Sequence, residues 1–303
     1  MNGDCVEQML INLNSLPRRA ALRILAGFAL ASPLRTFADS PERRFAAIER
    51  GIGVKLGVAA LDTGTGRTFS HRGAELFPLC STFKFLLAGC ILSRVDAGKE
   101  QLSRSILYTD KDLLEYAPVT RGHVKEGALS VGDLCAAAVE VSDNAAANLL
   151  LAQVGGPAGV TSFLRSLGDP VTRLDRTEPD LNSALPGDVR DTTSPTAMLN
   201  LMKGLLTGRF LLPASRNRLI GWLEKCETGG NRLRAGVPKD WRAGDKTGTG
   251  ENGAIGDIGI FWPPNRAPIL IAAYVIEGSA PRAQREGAIA SAARIMAREF
   301  RPL

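Results

Sequence analysis

Between Phe77 and Leu92 the chain runs FPLCSTFKFLLAGCIL, and from Phe85 onward its apolar residues leave almost no polar face. That is the pattern of a helix enclosed by other protein. Ser81 and Lys84 interrupt the start of the run. Spaced i and i+3, they fall on one face of the first turn, where the amine can reach the hydroxyl above the helix N-terminus. Upstream, SPERRFAAIERGIG predicts a helix with Ser40 as N-cap, Pro41 at its first position and a stop near Gly51. Val54, Leu56 and Val58 then alternate with other residues, DTGTG turns the chain and RTFSH continues it, which predicts a β-hairpin.

The middle of the chain is helical. Ser130 and Asp133 have the spacing of a capping box ahead of DLCAAAVEV, NAAANLLLAQVGG ends on a glycine pair, and Ser194 with Pro195 opens TAMLNLMKGLL. The strand signal returns in IGDIGIFWPP and PILIAAYVI, joined across PPNRA, before a last helix through AIASAARIMAREF. Strands from both ends therefore flank a helical middle. The simplest packing is an α+β fold: an antiparallel sheet built from both chain termini, flanked by helices, with a second all-helical lobe over roughly 82–225. A cleft between the lobes is the natural site.

With 303 residues, 45% hydrophobic and 22% charged, the chain has an ordinary globular composition. The net charge is +6, but residues 1–38 hold four Arg against Asp4 and Glu7, leaving 33 basic and 29 acidic residues beyond them. No basic run with interleaved aromatics occurs, so no nucleic-acid partner is expected. LPRRAALRILAGFALASPLRTFADS has an Arg pair, an apolar stretch and small residues before a possible cut after Ala38. This pattern predicts an export signal over 1–38, with Arg18 and Arg19 suggesting the twin-arginine route. No later stretch approaches eighteen apolar residues, so the mature chain is expected in the periplasm or outside the cell, without stable membrane association. His71 and His123 are the whole histidine inventory, which nearly excludes a Ser/His/Asp triad or a histidine-rich metal site.

Four separated segments carry chemistry. They are Ser81-Thr82-Phe83-Lys84; Ser142-Asp143-Asn144, between two helices; Glu178-Pro179-Asp180-Leu181-Asn182, in a loop; and Lys246-Thr247-Gly248, ahead of the IGIFW strand. A serine nucleophile needs a base, and without a usable histidine the candidates are Lys84 on the next turn or Glu178 acting through a water. Both stay open. Lys246 offers a cation for a substrate carboxylate, Thr247 and Thr249 offer hydroxyls beside it, and Gly248 and Gly250 allow close approach to the strand.

Together and in this order, the segments resemble the class A serine β-lactamases, of the penicillin-binding-protein-like serine hydrolases, over essentially everything after the signal. The resemblance implies a β-lactamase/DD-peptidase-like three-layer fold over 39–303. It also implies resistance through hydrolysis of penicillins and cephalosporins, with Ser81 as nucleophile. Ser142 would pass a proton to the departing ring nitrogen, Asn144 and Tyr116 would contact substrate, and Asn182 would hold the water that Glu178 activates. The backbone N–H groups of Ser81 and Thr249 would form the oxyanion hole. Arg176 would pair with Asp191 to close the Glu178 loop. A second cation for the substrate carboxylate is assigned to Arg232, in TGGNRLRAGVPKDW with Thr228 nearby; Arg234 and Arg285 are the alternatives. No metal or cofactor is implied, and the expected species is a monomer acting on a small-molecule β-lactam.

Two positions depart from the family pattern. Many members bridge the nucleophile helix to the position of Cys135, but Ala88 occupies the other end here and Cys90 lies about 200° further round the helix, so this disulfide is expected to be absent. Cys80 precedes the nucleophile as in carbapenem-hydrolysing relatives, yet Gly250 replaces its partner, which leaves Cys80 a free, small core residue. Competing readings are a cell-wall DD-peptidase or a penicillin-sensing domain, each acylating without fast turnover, and an SxxK glutaminase. ExxLN at Glu178 argues for turnover, and a sensor should carry a transmembrane tether.

Overall fold

The computed structural model describes residues 40–301. The export signal expected over 1–38 lies outside the described residues. Helix α1 (Pro41–Ile52) leads into β1 (Lys55–Asp62) and β2 (Thr68–His71), an antiparallel pair with Val58 opposite His71 and Leu61 opposite Thr68. The chain then passes β3 (Phe77–Pro78), α2 (Phe83–Asp96), β4 (Ser105–Leu107), α3 (Pro118–Gly122), β5 (Ala128–Ser130), α4 (Val131–Glu140), α5 (Asn144–Gln153) and α6 (Gly156–Ser166). A long loop ends at β6 (Thr192–Thr193), followed by α7 (Pro195–Leu206), α8 (Pro213–Glu224) and the short α9 (Leu233–Gly236). Strands β7 (Arg242–Thr249), β8 (Ile255–Trp262) and β9 (Ile269–Ile276) and helix α10 (Arg282–Glu299) close the chain.

The main sheet has the order β2-β1-β9-β8-β7 and is antiparallel throughout. Its two halves meet where β1 pairs with β9, from Lys55 opposite Ile276 to Asp62 opposite Ile269. Helices cover both faces. Phe45, Val58, Ile271, Val275, Ile289 and Met296 form the core between the sheet and α1 and α10. Ala59, Leu61, Leu270, Ala272 and Tyr274 join a second core with α2, α4, α5, α7 and α8. For this reason β1 is buried at every position from Leu56 to Asp62, whereas alternation alone implies one wet face.

Helix α2 runs through the second core, with Phe83 to Leu92 all buried. Burying each of its large apolar side chains contributes about 1.5–3 kcal/mol, so the helix can carry one buried lysine. Ser194 caps α7 by accepting from Ala197 N at 3.1 Å. Ser130 caps α4 through Asp133 N, but its hydroxyl donates to Asp133 Oδ2 at 2.6 Å, so the reciprocal half of the expected capping box is not made. The last helix starts at Arg282, earlier than the apolar pattern announces, because its first turns, RAQREG, are polar. Among the described residues no helix is long and apolar enough to cross a membrane.

Candidate active site

The turn before α2 is held from three sides. Leu79 N donates to Asp191 O at 2.8 Å, Thr82 Oγ1 donates to Leu79 O at 2.6 Å, and Cys80 sits at φ +40°. A non-glycine residue in that region stores about 1–3 kcal/mol of strain, which the packed surroundings must outweigh. Here the strain turns one short 3₁₀ segment, Cys80–Thr82, so that Ser81 faces a cavity of about 340 Å³. Ser81, Tyr116, Ser142, Asn144, Asn182, Thr228, Arg232, Thr247, Thr249 and Arg282 line it.

Ser81 Oγ donates to Glu178 Oε1 at 3.3 Å. Lys84 Nζ lies 2.9 Å from the same oxygen and also donates to Ser142 O (2.8 Å), Ser142 Oγ (3.3 Å) and Asn144 Oδ1 (2.6 Å). The expected contact between the amine and the Ser81 hydroxyl is not among these bonds, because the amine is drawn to the carboxylate and to the 142–144 turn. Burial pushes the Lys84 pKa below its ordinary value, while Glu178 and Asp143 hold it up.

Ser142 is itself at φ +63°, and its hydroxyl accepts from Lys84 and from Lys246 Nζ, at 3.0 Å. A hydroxyl has two lone pairs and one proton. With both lone pairs facing ammonium groups, the proton points to whatever enters the cavity. Asp143 fixes this turn by accepting from Val119 N, Thr120 N and Ala146 N, all at 2.9 Å. Tyr116 borders the cavity with its hydroxyl on Val141 O and its carbonyl on Asn144 N.

Glu178 comes from the loop between α6 and β6. Its side chain is fully buried, and Asn182 Nδ2 donates to its Oε2 at 2.5 Å. Asn182 Oδ1 is buried with no donor in reach. Asn148, on α5, brackets the Glu178 backbone, accepting from its N (3.0 Å) and donating to its O (2.9 Å). The loop is closed by Arg176 Nε on Asp191 Oδ2 at 2.6 Å.

Strand β7 brings Lys246, Thr247, Gly248 and Thr249 along the open edge of the sheet. A Cβ on Gly248 would lie 2.8 Å from Leu79 O and 3.2 Å from Ser81 N, so only glycine lets this strand pass the nucleophile turn. Lys246 Nζ is buried, donating to Ser142 Oγ and Thr247 O, and burial, with Lys84 adding to the effect, brings its pKa down to about 8.

The chain matches the β-lactamase enzyme family over residues 40–300. It is 45% identical to a β-lactamase of Streptomyces albus G, across 92% of this chain and 96% of that one. The chain belongs to the class A β-lactamase family. It is also 45% identical to the carbapenem-hydrolysing β-lactamase KPC of Klebsiella oxytoca, over 89% of this chain and 91% of that one. Among solved structures, a reconstructed class A β-lactamase of the last common ancestor of Gram-negative bacteria is 55% identical with a TM-score of 0.85, covering 87% of this chain and all of that one, 100%. The putative class A β-lactamase PenP of Rhodopseudomonas palustris is 50% identical with a TM-score of 0.84, over 86% of this chain and 100% of that one.

Against this class A frame, the arginines differ most from expectation. Arg232 reaches the cavity wall, but its guanidinium is spent: Nη1 donates to Gly248 O (2.7 Å) and Gly256 O (2.8 Å), Nη2 to Thr249 Oγ1 (2.7 Å), and Nε and Nη2 face Glu286 Oε1. All five N–H donors are engaged, so Arg232 meets the cavity through Thr249, whose own proton it turns outward. Arg234 turns away to Asp245 Oδ1 (2.5 Å) and two backbone carbonyls. Arg285 binds the carbonyls of Gly253, Gly278 and Ala280. Neither alternative lines the cavity, whereas Arg282, which sequence reasoning does not single out, does. Its spacing from Glu286, i and i+4 at the start of a helix, is the signal that could have marked it. His71 and His123 pair with Glu49 and Glu126, outside the cavity lining. Cys80, Cys90, Cys135 and Cys226 are free and buried, and burial pushes the Cys80 thiol up to about 12.

Proposed function

We propose that this β-lactamase hydrolyses penicillins and cephalosporins through an acyl-enzyme on Ser81 that Glu178 clears. One observation carries the reading: a single buried carboxylate oxygen, Glu178 Oε1, meets both the Ser81 hydroxyl and the Lys84 amine. Glu178 is then the acceptor for the Ser81 proton, while Lys84 stabilises the charge and connects to Ser142. Ser81 Oγ gives its proton to Glu178 and attacks the lactam carbonyl, the C–N bond breaks, and the departing nitrogen takes the proton of Ser142. Glu178 then returns its proton through Lys84 to Ser142, which restores the carboxylate before the second half. The backbone N–H groups of Ser81 and Thr249 hold the oxyanion. Lys246, Thr247 and Thr249 bind the substrate carboxylate, with Arg232 acting through Thr249, and Asn144 and Tyr116 position the substrate.

In the second half, a water donates one proton to Glu178 and turns the other to Asn182 Oδ1, the buried acceptor left without a donor. Its oxygen attacks the ester and Ser81 leaves, regaining its proton. The reading extends to residues 1–38 as an export signal, by the twin-arginine route, and to 39–303 as a catalytic domain with its helical lobe over roughly 82–225. That domain works as a monomer in the periplasm or outside the cell, giving resistance to β-lactams.

The test is intact-protein mass spectrometry during turnover of a penicillin, read beside loss of its ring absorbance. The wild type should consume the drug with only a transient adduct on Ser81, while Glu178→Ala should keep the adduct. A lasting stoichiometric adduct on the wild type would return the chain to the sensor or peptidase reading, and no adduct would remove Ser81 as nucleophile. Fast turnover by Glu178→Ala would contradict the role given to Glu178.

A further inference from the structure

The charges around the cavity do not match the needs of a substrate with one carboxylate. Among the described residues no Asp or Glu lines it, Lys84 and Lys246 stand behind its wall, and every N–H of Arg232 is taken. Arg282 is the exception. Its side chain is 67% exposed, and among the described residues its one partner is Glu286 Oε1, reached by Nε at 3.0 Å. Both terminal nitrogens, with four N–H donors in a planar fork, are left to solvent. It also stands at the first position of α10, whose first turn holds no acidic residue, so the positive end of an 18-residue helix adds to its charge instead of being offset.

Its place in the cavity follows from a chain of bonds. Arg282 and Arg232 share Glu286 Oε1, and Arg232 holds Thr249 Oγ1. Arg282 therefore stands at the Thr249 end, away from Tyr116 and Asn144, which are bonded to each other through the Tyr116 carbonyl. In the binding mode above, this end receives the ring that bears the substrate carboxylate, while Asn144 and Tyr116 position the rest of the substrate.

We propose that Arg282 forms an anion subsite that makes dianionic β-lactams, with a carboxylate or sulfonate on the ring substituent beyond the first carboxylate, preferred substrates. A second carboxylate there meets the free edge of the guanidinium in the two-point geometry that arginine offers and a lysine cannot. The inference rests on the proposed β-lactam hydrolysis and adds the substrate class that this site selects.

The experiment compares two cephalosporins with the same acylamino group, one with an anionic and one with a neutral substituent on the six-membered ring, in wild type, Arg282→Ala and Arg282→Lys. For the anionic compound, Arg282→Ala should lose roughly three- to tenfold in kcat/KM through KM, the range for a partly exposed charge pair. The neutral compound should change less than about twofold, and Arg282→Lys should recover part of the loss. At about 1 M salt, where the Debye length is about 3 Å, the wild-type preference should collapse. An equal loss for both compounds would assign Arg282 to holding Glu286 and Arg232 in place and overturn the subsite, and no loss for either would do the same. Failure of the wild type to open either ring would instead overturn the proposed hydrolysis.

Discussion

Arg176→Ala tests how the catalytic loop is held. Asp191 is 1% exposed at its side chain; Oδ1 accepts from the backbone N of Asp175 and Arg176 at 2.7 and 2.9 Å, and Oδ2 accepts from Arg176 Nε. Removing the guanidinium leaves Oδ2 buried and unpaired. Breaking a buried pair costs about 3–5 kcal/mol. Arg176 is 18% exposed and Oδ1 keeps both donors, so solvent screening and the surviving bonds reduce this to about 2–3 kcal/mol. For a chain of this length that corresponds to a fall in Tm of roughly 5–10 °C. Glu178 lies two residues beyond Arg176, and a displacement of about 1 Å can cost 10²-fold, so kcat should fall roughly 10- to 100-fold with acyl-enzyme building up. Calorimetry and mass spectrometry under turnover read the two effects. The decisive control is Asp191→Asn, in which the charge is gone. In that background Arg176→Ala should cost about 1 kcal/mol or less, giving a coupling of about 1–2 kcal/mol. If removing the arginine costs as much in the Asp191→Asn background as in the wild type, the buried charge does not hold the loop and the reasoning fails.

A second expectation concerns pH. Lys246, brought down to about 8 by burial, is charged below that pH and neutral above it, so kcat/KM, which reports the free enzyme, should fall as pH rises past about 8. Bound substrate carboxylate favours the charged amine and should move the limb in kcat to higher pH. Lys246→Arg should abolish the alkaline limb, whatever its rate; persistence of the same limb would remove Lys246 as its source. The glycines give a paired test by Tm and kcat/KM. Gly248→Ala drives its methyl group against Leu79 O, at 2.8 Å, and should cost about 1–3 kcal/mol together with most activity, as β7 and the nucleophile turn part. Gly221→Ala, in α8 with nothing within 4 Å of its new methyl group, should gain about 0.4–1 kcal/mol and leave kcat/KM unchanged. Equal Tm shifts in the two variants would refute the crowding argument.

Most of the fold was legible where a local rule acts. The hairpin at DTGTG, the Ser194 cap and the Gly155-Gly156 stop depend on residues close in sequence, and each element forms there. The two-sided burial of β1 was not legible, because it depends on α10, more than 200 positions away along the chain. The site divides in the same way. Ser81, Lys84, Ser142, Asn182 and the Lys246 to Thr249 strand were readable as motifs, and the fold brings Ser81, Ser142, Asn182, Thr247 and Thr249 to one cavity with Lys84 and Lys246 bonded behind its wall. Asn148 was invisible because its work is done on the backbone of Glu178, and Asp143, quoted within the Ser142-Asp143-Asn144 motif, carried no legible role of its own because it acts on the backbones of Val119 and Thr120. For Arg232 the residue was legible but its occupancy was not, since Glu286, which helps exhaust its donors, lies 54 positions away.

The sheet drawn from both ends of the chain fixes when the catalyst comes into being. A chain made from its N-terminus has synthesised Ser81, Lys84, Ser142, Glu178 and Lys246 before it reaches Ile269, yet β1 and β8 are joined only through β9, which pairs with both. Every chemical group is then in hand, but the strand pair that carries Lys246 is not yet joined to the β1 half of the sheet, and its remaining ties to the nucleophile are side-chain and turn contacts such as Lys246 on Ser142. Synthesis proceeds at about 5–20 residues per second, so this unfinished interval lasts seconds. Activity arrives with the last strand, as a single late event, and a chain cut short at residue 268 would own all the machinery of acyl transfer and perform none of it.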